Sequence, residues 1–170
     1  GLELRRQGDG GLQDVANLPV PPARGEGIDP LAGVLTRQAA ELPRWLLLPA
    51  ASGLRRPLLL PAAARERLRE VLGFEIERQT PFAAGDVLYD GRVLGVRDDG
   101  QLQAELVVVP RARADAALAR LGALSGWLAG VDLADAEGRP LGVNLLPVAQ
   151  RHQRRNPWRL WNIVLAALAL

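Results

Sequence analysis

Apolar and polar positions alternate over residues 2–6 and 12–17, on either side of Gly8-Asp9-Gly10-Gly11, and this predicts a β-hairpin. The stretch 19–27 carries three prolines and two glycines and reads as a loop. Asp29-Pro30 then offers an N-cap followed by Pro at the first helical position. Leu31, Val34, Leu35 and Leu42 follow at helical spacing, so a helix is expected over 30–42. Trp45-Leu46-Leu47-Leu48, closed by Pro49, reads as a short buried strand. The order to this point is β-β-α-β.

Residues 54–60 read as a strand that Pro61 ends. In the next segment, 62–79, Leu68, Val71, Leu72, Ile76 and Gln79 share one helical face, while Arg67, Glu70, Glu77 and Arg78 cluster on the other. Thr80-Pro81 stops this helix, because the residue before Pro avoids helical dihedrals. Two longer strands, 87–96 and 101–109, flank Asp98-Asp99-Gly100, a hairpin turn sequence. An Ala-rich helix over 111–124 follows, with Ala117, Leu118, Leu121 and Leu124 as its apolar positions. A last hairpin, 128–133 with 139–144, is expected around Asp135-Ala136-Glu137-Gly138. Trp127, at a strand start, is expected in the core.

Two positions on the 62–79 helix break its pattern. Glu75 falls inside the apolar stripe, and a partly buried carboxylate needs a partner, which Arg78 at i+3 or a strand arginine can supply. Phe74 projects amid the charged residues. The favoured reading is that a second layer of this chain covers it; the other is that it anchors a partner. On that second reading the binding face is Arg67, Glu70, Phe74, Glu77 and Arg78.

Composition narrows the chemistry. The chain has 170 residues, with 48% hydrophobic and 24% charged, a globular composition of one-domain size. It has no Cys and a single His, His152, which removes disulfides, thiolate metal sites and His clusters. His152 is expected to be solvated among cations. Ser occurs only at 52 and 125, so a hydrolase triad has little support. The glycine turns lie between strands rather than before helices, which disfavours a phosphate cradle, and no cofactor is expected. With no Met, Gly1 is expected not to be a native start, and the chain to be a piece of a longer protein.

Charge is divided unevenly. All 21 basic residues are Arg, and the pI is near 10.2. Residues 1–150 hold 17 arginines against 19 acids, a net −2, whereas the last 20 residues carry four arginines and no acid. The basic pI therefore belongs to the tail, and nucleic acid is not an expected partner.

That tail reads RHQRRNPWRLWNIVLAALAL. Arg151, Arg154, Arg155 and Arg159 are interleaved with Trp158 and Trp161, and an apolar run follows, the order that the positive-inside rule and the aromatic belt give for a bilayer crossing that starts in the cytoplasm. Crossing takes roughly 20 apolar residues, and the segment from Trp158 to Leu170 is only 13 residues long, so 158–170 is expected to be the start of a transmembrane helix and 147–157 a basic juxtamembrane linker. The alternative is an amphipathic helix docking on its own domain.

The run RRPLLLPAAARERLREVLGFEIERQTPFAAGDVLY, residues 55–89, resembles the inner-membrane platform protein L of bacterial type II secretion systems, the GspL family. The resemblance continues through AELVVVPRARADAALARLGALSGWLAGVDL to the basic tail, and covers roughly residues 45–170. Its most specific part is Glu75-x-x-Arg78-x-Thr80-Pro81-Phe82, followed by Asp90. The pilus assembly protein PilM carries a similar helix, Pro-Phe turn and strand. The resemblance implies an α/β, actin-like fold: a reduced RNase H-like β-β-α-β lobe over 1–53, then, over 54–146, a strand-helix-strand-strand insertion subdomain with the closing strands. It implies a non-enzymatic scaffold at the bacterial inner membrane, on the cytoplasmic side, that docks the N-terminal domain of the secretion ATPase, protein E. Platform protein M and a second copy of the chain are the further partners implied. The alternative is an actin-like pilus assembly protein of the PilM/PilN type that binds nucleotide.

Overall fold

The computed structural model describes residues 2–153. Its strands and helices follow in the order β1 (Leu2–Gly8), β2 (Gly11–Leu18), α1 (Arg37–Ala40), β3 (Arg44–Leu48), β4 (Leu54–Leu60), α2 (Leu68–Gln79), β5 (Val87–Val96), β6 (Leu102–Pro110), α3 (Arg111–Leu121) and β7 (Leu128–Leu133), with short 3-10 turns between several of them. The result is a mixed α/β fold with three small sheets: the β1–β2 hairpin, a parallel β3–β7 pair, and an antiparallel sheet in the order β4-β6-β5.

Strand β6 organises the core, because both of its faces are covered. Leu102, Ala104, Leu106 and Val108 point one way, into a cluster with Leu72 and Ile76 of α2 and Leu60 of β4. Val107 and Val109 point the other way, into a larger cluster with Leu48 of β3, Ala114 and Leu121 of α3, and Val131 and Leu133 of β7. Full burial of a Val or Leu stabilises by about 1.5–3 kcal/mol, and this doubly covered strand contributes several such side chains to the core. Pro57 sits on β4, an edge strand, where its missing N–H interrupts no ladder. The β3–β7 pair joins residues on either side of position 53, so one core spans the two expected segments 1–53 and 54–146.

Helix α2 matches its pattern. Leu72 and Ile76 are fully buried, with Leu68 and Val71 partly so. Its preceding turn, Ala62–Arg67, is 3-10 rather than α. Thr80 ends the helix by donating its hydroxyl to the Ile76 carbonyl at 2.7 Å and accepting the Phe82 N–H at 3.3 Å. Glu75 finds the expected partner in Arg78, at 3.3 Å, and also accepts from Gln79.

Two expected elements are corrected. The helix over 30–42 is reduced to the single turn Arg37–Ala40. Asp29 does accept the Leu31 N–H at 2.9 Å, but Gly33 takes φ +83°, outside the helical region, and the chain turns before Thr36 caps the shorter helix by accepting from Ala39. The second correction concerns 139–144. The turn forms as expected, with Asp135 accepting the N–H groups of Glu137 and Arg139. Beyond it β7 pairs in parallel with β3, and the returning chain makes a bridge at Ala134–Pro140 and separate backbone bonds to β7, Leu141 N–H to the Leu133 carbonyl at 3.1 Å and Leu145 N–H to the Val131 carbonyl at 2.8 Å. Side chains hold the return between these bonds. Asp132, 5% exposed, accepts from Gly142 and Val143, and Asn144 accepts from Val131 and Leu146 while donating to the Ala129 carbonyl. Carboxylate and amide groups thus fill in between the few backbone bonds, where a regular second arm would have continued the ladder.

Candidate interaction surface

The outer face of α2 is the candidate surface. Its inner face is fixed by Leu72 and Ile76 against the β4-β6-β5 sheet, so the residues half a turn away must face solvent. Phe74 is 75% exposed, which corrects the reading that a second layer of this chain covers it: the sheet takes the Leu72–Ile76 side, and among the described residues no other element packs over Phe74. Arg67 and Glu70 stand 4.0 Å apart on this face, and Glu77 is exposed beside them. Arg78 is also exposed, though its guanidinium reaches back to Glu75. All five residues singled out from the sequence therefore share an exposed face, with the one large apolar group among mixed charges.

The charged groups elsewhere mostly serve to hold segments together. Glu105, on the face of β6 away from α2, accepts from Arg55 at 2.9 Å and from Arg92 at 2.9 Å, and Arg92 also donates to the Leu141 carbonyl. Asp90 accepts the Asn144 N–H at 2.8 Å and faces Arg69 at 3.5 Å; Arg69 lies over the Tyr89 ring, 5.0 Å from its centre. Sequence reasoning missed Glu105 and Asp132 as buried acids. The available signal was a single carboxylate inside each of two otherwise apolar strand runs, 104–110 and 128–133.

A third constellation lies where β3 and β7 both begin. Arg44 makes a two-pronged pair with Asp29 and lies 5.9 Å from the centre of the Trp127 ring. The His152 ring lies tilted against that of Trp127, with centres 4.9 Å apart, and the His152 backbone N–H donates to the Leu128 carbonyl at 2.7 Å. These groups line a cavity of about 190 Å³ with Leu42. His152 is thus half-buried and docked, not solvated among cations, because the backbone of β7's first residue offers it a carbonyl and Trp127 a ring. Trp127 is half-buried at this cavity rather than wholly in the core. Arg44, and to a lesser degree the Leu31 N–H, hold the Asp29 carboxyl below the usual carboxylate range against the opposing effect of burial.

Arg151 is the one expected juxtamembrane residue inside the described region. It donates to the Leu146 carbonyl at 2.8 Å and to the Asn144 carbonyl at 3.4 Å. Arg154, Arg155, Trp158, Arg159 and Trp161, and with them the expected transmembrane start, lie outside the described residues. Among the described residues no helix is long and apolar enough to cross a membrane, and no group of three or more His, Asp or Glu could hold a metal ion.

These features define a small α/β domain whose buried charges act as struts and whose most exposed aromatic group, among the described residues, stands on a helix. No protein-family model matches the chain. Over 169 residues it is 52% identical to type II secretion system protein L of Xanthomonas campestris pv. campestris, a match that takes in 99% of this chain and 44% of that protein. The chain is a homologue of type II secretion system protein L, as the resemblance in its sequence implies, and spans less than half of that relative's length. Among solved structures it is similar to the cytoplasmic domain of EpsL, an inner membrane component of the type II secretion system of Vibrio cholerae. That match has TM-score 0.42 and 24% identity, and covers 56% of this chain and 38% of the other.

Proposed function

We propose that this chain is part of a protein L of the type II secretion apparatus, acting as a scaffold on the cytoplasmic side of the inner membrane. The observation that carries the reading is the 52% identity to protein L over nearly the whole chain. In this reading the fold is a reduced actin-like body, 158–170 begins a transmembrane helix, and the outer face of α2 receives the N-terminal domain of the secretion ATPase, protein E. Platform protein M and a second copy of the chain complete the assembly, and the body does no chemistry of its own. The exposure of Phe74 supports the docking face, since a large apolar side chain kept in water on a folded helix is a ready anchor.

The test is binding of the isolated ATPase N-terminal domain, by pull-down and calorimetry, to the parent chain and to Phe74→Ala and Arg67→Glu. Binding that weakens at least tenfold in either variant is the expected result. No binding by the parent would refute the docking role, and equal binding by all three would move it off α2. Calorimetry with ATP separates this scaffold from a nucleotide-binding pilus assembly protein; no heat of binding is expected.

A further inference from the structure

The folded body carries a surface of its own at the point where the basic tail leaves it. Arg151 and His152 fix the chain there, the first through the Leu146 and Asn144 carbonyls, the second through the Leu128 carbonyl and the Trp127 ring. Around this exit stand three large apolar side chains in solvent. Leu42, 45% exposed, lines the same cavity as His152. Trp45, 47% exposed, lies over Gly130, where a Cβ would meet both its ring and the amide of Asn144. Val148, 62% exposed, is in the turn just before Arg151.

From the geometry we infer that this end of the body, where β3 and β7 begin, rests on the headgroup layer of an anionic lipid surface, with Trp45, Leu42 and Val148 as interfacial contacts. The inference rests on the reading that 158–170 enters a bilayer, and three observations favour lipid as the occupant. First, reach: Trp158 comes six positions after His152, so even a fully extended chain allows only about 20 Å between the docked exit and the first interfacial tryptophan. Secondly, charge: Arg44 pairs with Asp29, leaving Arg37, on the helix whose Ala40 lines the cavity, and Arg151 near the exit against Glu41. Arg154, Arg155 and Arg159 follow in the chain. That excess of cations suits an anionic leaflet. Thirdly, chemistry: an indole beside aliphatic groups and arginines is the side-chain set that partitions to the headgroup layer. Phe74 belongs to the other side of the molecule, because α2 packs on the face of the β4-β6-β5 sheet turned away from β3 and β7.

The absence of Cys makes a clean test possible, since each variant carries one label. The full chain is prepared as Leu42→Cys, Val148→Cys, Phe74→Cys and Trp161→Cys, each labelled with an environment-sensitive nitrobenzoxadiazole. Each is placed in vesicles of phosphatidylcholine with phosphatidylglycerol, with and without a headgroup-level spin-labelled lipid. The expected result is several-fold quenching at 42, 148 and 161 and little at 74, weakening at 42 and 148 in phosphatidylcholine alone. Quenching at 161 with 42 and 148 behaving like 74 overturns the inference while leaving the bilayer reading intact. If 161 is also unquenched, both fall. Labels at 42 and 148 that become shielded in detergent, with rising protein concentration and no bilayer, overturn it in favour of a second copy of the chain.

Discussion

The Glu105 cluster makes the sharpest test of how this core is held. Glu105 is the middle of β6, opposite Arg92 on β5, and its side chain is 8% exposed. Its carboxylate takes Arg55 at 2.9 and 3.1 Å and Arg92 at 2.9 Å, while the Arg55 Nε is already buried without a partner. Glu105→Ala removes the anion between two guanidinium groups. Breaking a buried ion pair from one side costs about 3–5 kcal/mol. Here the arginine side chains keep 35% and 31% of their exposure, so water recovers part of this, and roughly 2–4 kcal/mol is expected. For a domain of this size each kcal/mol moves Tm by roughly 2–4 °C, so thermal unfolding followed by near-UV circular dichroism should show a fall of about 5–15 °C. Glu105→Gln keeps the shape and one acceptor and should lose less. The triple replacement Arg55→Met, Glu105→Leu, Arg92→Met leaves no charge stranded and should recover much of the loss, short of the Arg92 bond to Leu141. A Glu105→Ala protein that melts within about 2 °C of the parent would refute the reasoning, as would a triple variant no better than the single one.

Three other outcomes follow from the same geometry. The Asp29 pKa is depressed in the fold by Arg44, so its contribution is complete above the ordinary carboxylate pKa of about 4 and is lost as pH falls through the lower folded value. Asp29→Asn should therefore lower Tm at neutral pH, with the gap to the parent closing as pH falls below the ordinary carboxylate range. Gly53→Ala puts a Cβ 2.7 Å from the Val108 carbonyl and 2.8 Å from Leu133, at the seam of two sheets, and should cost about 1–3 kcal/mol in denaturant unfolding. Phe74→Ala, by contrast, should stay within about 0.5 kcal/mol of the parent in the same assay, since its ring is in water; a larger loss would mean that the exposed face of α2 is covered.

Patterns of period two and 3.6 carried most of the fold, because wherever one face is buried the alternation has to obey it. The strands of the β4-β6-β5 sheet and helix α2 are legible for that reason. The pattern fails where backbone groups find partners outside a ladder. Leu31, Val34 and Leu35 have helical spacing, but Gly33 at positive φ breaks the turn that would connect them. Val143 and Leu145 alternate like a strand and are buried like one, yet the N–H groups of Gly142 and Val143 go to the Asp132 carboxylate. Which carboxylate accepts from which amide depends on contacts made across the fold, and hydrophobic spacing does not encode them. The α2 face was legible as a set of residues, whereas the burial of Phe74 was misjudged, since a helix wheel shows direction but not whether anything lies there.

The same side-chain bonds give the molecule a continuous path from that face to the tail. Arg69 of α2 faces Asp90 on β5 at 3.5 Å; Asp90 accepts the Asn144 N–H at 2.8 Å; the Asn144 carbonyl takes Arg151 at 3.4 Å, next to the docked His152. Asp90 and Asn144 are 54 positions apart in sequence, and Arg69 and Arg151 lie further apart still, so this route exists only in the folded body. A strand ladder in the returning segment would have tied it to β7 alone. Because side chains add to its few backbone bonds to β7, the segment 140–151 is tied at once to β5, to β7 and to the exit of the chain. A load applied at α2 would then reach the tail through short polar contacts rather than through a loose linker. Connectivity of this kind is a path of contacts and not in itself energetic coupling; it is the arrangement that the proposed scaffold role calls for.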